Sequence, residues 1–359
     1  MNYWFTLLFL SFCCYTFSKL ATVWLVVNVR KLKIVDDPSH NLDRKDQKIP
    51  IPLLGATGFI VSCGISMVFI WASIRFNLFD LRGILIQNMF YVFHLGWIII
   101  GGLVLSIGGF LDDKFTLSSK WLISYITVGI AITVFLGGIK IENLSYPFDQ
   151  FLPNISSGVS ILPSILAYLW ILCCVSATKF LDGHDGLVSS VGIMSLITIG
   201  WVSTFSNVDQ PFIFMVSIIW ASGIAGFLPF NLPNAKIYLG EGGSEIIGFV
   251  IGVLSILSGA KIATASSIIG WFVFDILLVL YLRLRAKKSP FSAGREHWHF
   301  RLVDIGMTKW QVLILTLVIL LISSSLGLFL PTIYKPLAIL GQFIMLILIF
   351  IYTQKKNKI

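Results

Sequence analysis

Charge is what this chain has least of. Only 12% of its 359 residues are Asp, Glu, Lys or Arg, while 57% are hydrophobic. That charged share is about half the usual figure for a soluble domain. So few charges cannot cover the surface of a globular core of this size in water, which excludes an ordinary soluble class. Cysteine is scarce too. All five (Cys13, Cys14, Cys63, Cys173 and Cys174) lie in apolar stretches. They show neither metal-site spacing nor a disulfide framework, and they read as small hydrophobes. Repeats, low-complexity tracts and loops long enough to fold alone are missing as well. The chain reads as one integral membrane domain over residues 1–359.

What fills the sequence is a series of apolar blocks, each about the length needed to cross a hydrocarbon core of roughly 30 Å. They predict an all-α polytopic protein with about eleven transmembrane helices. The expected spans are Tyr3–Val29, Leu53–Ile74, Ile84–Leu111, Trp121–Ile139, Ile161–Thr178, Leu187–Phe205, Pro211–Phe230, Ile246–Ala260, Ala265–Leu282, Val312–Leu330 and Pro336–Tyr352. The eighth is short, which implies a tilted or re-entrant segment, or a misplaced boundary. The first lacks the basic start of a cleaved signal peptide and is kept as a helix.

The net charge of +9 does not point to nucleic acid, because its placement is topological. If the loop after the first span is cytoplasmic and the spans alternate, 20 of the 26 basic residues fall on the cytoplasmic side. Five (Arg75, Arg82, Lys140, Lys261 and Lys335) fall outside, and Lys19 lies in a span. This obeys the positive-inside rule and places the N-terminus outside and the C-terminus inside. The longest outer loop, about Lys140–Ser160, is polar and irregular.

The 17 acidic residues and 5 histidines cluster on the cytoplasmic side. Four compact signatures stand at helix ends: Asp112-Asp113, Asp182-Gly-His184-Asp185-Gly, Gly240-Glu241-Gly-Gly-Ser244-Glu245, and Arg295-Glu-His297-Trp-His299. A fifth, from Asp36-Asp37 through Arg44 to Pro52, is more diffuse. Paired carboxylates at a membrane boundary repel one another unless a cation compensates them. Oxygen ligands in this number suit Mg²⁺ held jointly with a phosphate-bearing substrate. Lys120, Arg295, His297 and His299 supply cations and donors for phosphate oxygens. From residues alone, the chemistry is a metal-dependent phosphoryl-type transfer at the cytoplasmic surface. A zinc site is poorly supported, with no Cys nearby and no third clustered His. A secondary transporter would need ionisable groups near mid-membrane, where they are sparse here. His94 and Asp275 do lie inside spans, and Asp275 reads as a partner for Arg283 or a cap on a polar helix contact. His184 reads as incidental.

In this order, the clusters resemble the polyprenyl-phosphate N-acetylhexosamine-1-phosphate transferase family (glycosyltransferase family 4), most of all its branch that initiates O-antigen and enterobacterial common antigen. Asp112-Asp113-x6-Lys120 matches the family's Asp-Asp-x6-Lys, and Asp182-Gly-His-Asp185-Gly-Leu its Asp-Gly-x-Asp-Gly-Leu. The run from Phe230-Asn231 to Gly240-Glu241-Gly-Gly243-Ser244 matches with one residue inserted, and Ser289 to His299 matches Ser-Pro-Phe-Ser-x2-Arg-x-His-x-His. The resemblance extends from about Asp36 to Gly306.

It implies transfer of a sugar 1-phosphate from a UDP-N-acetylhexosamine to undecaprenyl phosphate, with release of UMP, in a bacterial inner membrane. Mg²⁺ (or Mn²⁺) is the implied cofactor. Asp112, Asp113, Asp182 and Asp185 are implied to be catalytic, and Lys120, Lys179, Asn231, Arg295, His297 and His299 to bind substrate. Asp112 and Glu241 are implied to hold the metal. For Asp182 and Asp185, a plain helix cap is the alternative. The family usually has Asn at Lys179 and Asp at Glu241. Gln47 replaces a common His, Ala56 a Gly and Phe300 a further His. Lys179 matters most, since an ammonium repels a metal ion; it raises the alternative of a member impaired in catalysis.

Overall fold

The computed structural model describes residues 3–32, 34–36, 50–75, 89–141, 161–205, 208–258, 262–288 and 294–356. Twelve α-helices run in chain order: α1 Tyr3–Asn28, α2 Thr57–Arg75, α3 Met89–Phe115, α4 Ser119–Ala131, α5 Leu162–Leu181, α6 Leu187–Ser203, α7 Pro211–Asn231, α8 Glu241–Leu257, α9 Ile262–Arg285, α10 Trp298–Asp304, α11 Lys309–Phe329 and α12 Lys335–Lys356. A π-helical turn, Ile132–Leu136, prolongs α4. Val35–Asp36 and Ile51–Pro52 form a two-residue antiparallel ladder, Val35 opposite Pro52.

Each expected apolar block falls on one helix, all except the short α10. Seven described stretches are long and apolar enough to cross a membrane: Tyr3–Asn28, Leu95–Phe115, Ser119–Leu136, Leu162–Leu181, Pro211–Asn231, Lys309–Phe329 and Thr332–Lys356. Thr57–Ser73 and Leu187–Ser203 are shorter apolar helices. Local chemistry sets several boundaries. Proline opens α5 and α7, where its missing N–H costs nothing. Thr308 and Gln311 close a reciprocal capping box on α11.

The eighth block corrects its expected boundary. Helix α8 begins at Glu241, so the polar Gly-Glu-Gly-Gly-Ser run is its first turn and not a loop. A carboxylate at a helix N-terminus is favoured by the dipole, and hydropathy alone misses this.

Helix α8 is buried along nearly its whole length, with α3, α5 and α6 around it. Two close approaches make room for this. Gly109 on α3 faces the backbone of Gly242, and Gly248 faces Cys174, Val175 and Thr178 on α5; a Cβ at either glycine would collide with these atoms. Helices α1 and α12 instead turn apolar side chains outward, among them Trp4, Phe12, Leu337 and Leu348. In hydrocarbon such a surface is stable, and every backbone polar group stays paired within its helix. The fold is that of a multi-pass membrane protein.

Candidate active site

The C-terminal ends of α3, α5 and α7 meet the N-terminal ends of α6 and α8 at one end of the bundle. They enclose a cavity of about 450 Å³. Asp36, Asp112, Asp113, Asp182, Asp185 and Glu241 all line it, with Asn231, His184, Phe300 and Lys309. Residues drawn from segments as far apart as Asp36 and Lys309 thus share one chamber.

Asp112 and Asp113 lie in the last turn of α3, not in the loop beyond it. Asp112 accepts the Leu117 backbone N–H at 2.6 Å. Asp113 accepts the Glu241 backbone N–H at 2.9 Å through Oδ1. Gly240, at φ +84°, carries the chain past that carboxylate. A side chain there would be strained in φ and would strike Asp113.

Neither Asp182 nor Asp185 caps the start of α6. Its N-cap is Gly186, and no side chain bonds there, while Asp182 is the C-cap residue of α5. Asp182 is open to the cavity yet surrounded by protein. Burial, followed by the charges of Glu241 and Asp113, pushes its carboxyl well above the usual range, and Lys179 only partly opposes this. Asp185 accepts the Asn234 N–H at 3.2 Å and the Lys309 ammonium at 3.1 Å. His184 is not incidental: its Nε2 sits 2.9 Å from the Lys309 carbonyl oxygen and helps tie the loop to α11. Asn231 is buried, accepting the Ser189 hydroxyl at 2.9 Å and donating to the Ile237 carbonyl at 3.3 Å.

Lys179 points at the acids. It pairs with Glu241 and, at 3.0 Å, with the fully buried Glu245, which also accepts the Tyr125 hydroxyl at 2.8 Å. Lys120 is exposed at the start of α4, outside the cavity lining.

Arg295 pairs with Asp304 at 2.8 Å and lies over the Phe300 ring. His297 and His299 sit one layer behind Phe300, stacked on each other at 5.9 Å. His299 is fully buried, and neither ring nitrogen has a partner. Burial, then the charges of His297, His184 and Arg295, holds its pKa well below the usual histidine value. Asp275 corrects its expected partner: it bonds His297 and the Trp298 N–H, while Arg283 pairs with Glu296 at 2.8 Å.

Glu245, Tyr125 and Lys309 were missed as site residues. A single acid or tyrosine in an apolar helix gives no spacing signal, and Lys309 looks like an ordinary topological cation. Gln47, the Ser289–Ala293 run, most of the Lys140–Ser160 loop and the side chain of His94 lie outside the described residues.

Oxygen donors dominate the chamber, with six carboxylates against two ammonium groups, Lys179 and Lys309, which fits a hard divalent cation. Among the described residues, no three His, Cys, Asp or Glu side chains converge as a ready-made metal cage. The donor set therefore fits Mg²⁺ in its usual manner: one or two carboxylates, with the rest from phosphate oxygens and water.

A helical membrane bundle with an acid-lined chamber at one end defines a class of membrane transferase. Comparison with known proteins agrees. Residues 95–259 match glycosyl transferase family 4. The chain is 28% identical over 302 residues to a probable undecaprenyl-phosphate N-acetylglucosaminyl 1-phosphate transferase of Bacillus subtilis (strain 168), covering 82% of this chain and 77% of that one. It is 28% identical over 312 residues to the undecaprenyl-phosphate alpha-N-acetylglucosaminyl 1-phosphate transferase of Escherichia coli (strain K12), covering 83% and 77%. A decaprenyl-phosphate N-acetylglucosaminephosphotransferase of Mycolicibacterium smegmatis is 26% identical over 250 residues, with 61% and 58% covered. The middle of the chain thus matches glycosyl transferase family 4, and most of its length is similar to these polyprenyl-phosphate sugar-1-phosphate transferases.

Proposed function

We propose that this enzyme transfers an N-acetylhexosamine 1-phosphate from a UDP-sugar to undecaprenyl phosphate and releases UMP. In this reading all eleven long helices cross a bacterial inner membrane, the N-terminus is outside, and the chamber opens to the cytoplasm. The product would begin a lipid-linked cell-surface glycan. The observation that carries the proposal is the gathering of Asp112, Asp113, Asp182, Asp185 and Glu241 around one cavity at one end of the bundle.

In the reaction, a phosphate oxygen of the lipid attacks the β-phosphorus of the nucleotide sugar. The bond from that phosphorus to the oxygen bridging to the α-phosphate breaks, and UMP leaves. Asp113 Oδ1 is engaged by the Glu241 N–H, which leaves Oδ2 to take a proton from the lipid phosphate. Asp112 and Glu241 would hold Mg²⁺, which when bound neutralises diphosphate charge. Asp182 and Asp185 shape the opposite wall, and Lys309 holds Asp185 in place. Arg295 and the histidines behind Phe300 offer donors to the nucleotide diphosphate.

The test is to incubate purified protein with a panel of UDP-N-acetylhexosamines, with and without undecaprenyl phosphate, and to measure UMP. Release that depends on the lipid is expected. No UMP from any sugar in the panel, with folded protein, would end this reading.

A further inference from the structure

Asp275 is the one described carboxylate that lies well inside a membrane helix and away from the chamber. It stands ten residues before the end of α9, about 15 Å along the axis, and is only 4% exposed. A buried carboxylate costs several kcal/mol unless it is fully compensated. Here both oxygens are used: Oδ2 is 2.7 Å from His297 Nδ1, and Oδ1 accepts the Trp298 backbone N–H at 3.1 Å.

Two rings clamp the one it holds. Phe180 stacks on it at 5.4 Å, and His299 at 5.9 Å with only 10° between planes. Phe180 lies between Lys179 and Asp182 at the end of α5, so the clamp ties the histidine loop to the wall of the chamber. A carboxylate at Nδ1 fixes the proton on that nitrogen and leaves Nε2 as the ring's working atom. The charged groups nearby are Arg301, which senses Asp275, the Arg283–Glu296 pair, Arg295 and His184 around His299, and Lys179 turned away toward its two glutamates.

We propose that Asp275 is a positioning residue. It holds His297 through an Nδ1–H bond, with Phe180 and His299 packed against the ring, so that the imidazolium donates its Nε2–H to the diphosphate of the nucleotide sugar. The substrate class rests on the function proposed above.

Asp275→Asn tests this. Asparagine has one acceptor oxygen where two are used, so it cannot hold both the His297 Nδ1–H and the Trp298 N–H. Binding of UDP and of uridine is measured by calorimetry in detergent without lipid. The affinity for UDP is expected to fall about tenfold to a hundredfold, the usual scale for a residue that orients a functional histidine. Uridine, which lacks the diphosphate, should lose little affinity, a difference that general loosening would not produce. In a His297→Asn background, Asp275→Asn should cost little more.

His297→Asn, whose amide can still donate to Asp275, stands on its own if Asp275→Asn fails to insert; it should fold and lose the same affinity. The proposal is overturned if Asp275→Asn keeps wild-type affinity for UDP, if it loses affinity for uridine equally, if the two losses add in full, if folded His297→Asn binds UDP normally, or if the wild type binds no UDP. A wild type that binds UDP but releases no UMP defeats the transferase reading alone.

Discussion

Lys179 and Glu245 meet at 3.0 Å across the contact between α5 and α8, and Glu245 has no exposure to solvent. The same ammonium also pairs with Glu241 at the chamber wall. One cation is thus shared between a carboxylate locked in the bundle and one that faces the site. Only Oε1 of Glu245 is engaged, by Lys179 and the Tyr125 hydroxyl; Oε2 has no partner. Lys179 therefore comes with its own counter-charges.

Lys179→Asn should lower thermal stability on the scale of losing one partner of a buried pair, about 3–5 kcal/mol. Adding Glu245→Gln, which removes the stranded charge but still accepts from Tyr125, should recover most of it. Thermal unfolding in detergent reads both, and a double variant no more stable than the single would show that Lys179 does not serve Glu245.

The same lysine should set the metal requirement. An ammonium about 4 Å from a divalent cation repels it by roughly 8 kcal/mol at an effective dielectric near 20, twice the value for two unit charges. In the Glu245→Gln background, Lys179→Asn should lower the Mg²⁺ concentration for half-maximal UMP release. Adding Glu241→Asp should lower it further and non-additively. Turnover without Mg²⁺ in the parent would mean that the ammonium substitutes for the metal.

Asp112→Asn and Asp113→Asn should each reduce turnover at least a hundredfold, about 2.7 kcal/mol of transition-state stabilisation, with the protein still inserted. Near-normal UMP release from both variants would return the pair to a role in topology.

Glu296 provides a pH signature. Burial opposes its ionisation, but the hydrogen bond from Arg283, its own backbone N–H and the charges of Arg283 and Lys288 outweigh this and hold its carboxyl below the usual 4.5. Its contribution to stability is complete above that value and is lost as the pH falls through the lower, folded-state value. Glu296→Gln should lower the melting temperature at pH 6 and shrink the fall between about pH 5 and pH 3. An unchanged pH dependence would show that the pair is not formed.

Topology can be read by labelling single cysteines in a chain whose five native cysteines are replaced. Lys288→Cys should react only after permeabilisation, and Ile333→Cys, in the turn between α11 and α12, should react from outside. The reverse pattern would overturn the cytoplasmic placement of the chamber.

Much of the fold was legible because hydropathy and length are local properties: every apolar block became a helix. The boundaries failed where polar residues are helical for a non-local reason, as at Glu241-Gly-Gly-Ser244, whose burial against α3 depends on Gly109. Of the site, the paired and motif-bound acids were legible, since unshielded carboxylates at one membrane face need a common explanation. Glu245, Tyr125, Lys309 and the role of Asp275 were not. Each is defined by a partner between 22 and 124 positions away, and no spacing rule encodes such a pairing.

The bond between Asp113 and residue 241 goes to the main chain. Every amino acid except proline has that N–H, so this hydrogen bond does not depend on which side chain residue 241 carries. The frame of the chamber and the reach of the carboxylate proposed to face the metal are therefore separate inheritances. A lineage can lengthen, shorten or neutralise the tip at 241 in one step while α3 and α8 stay joined. Position 241 is thus a place where the wall of the chamber can change without parting α3 from α8.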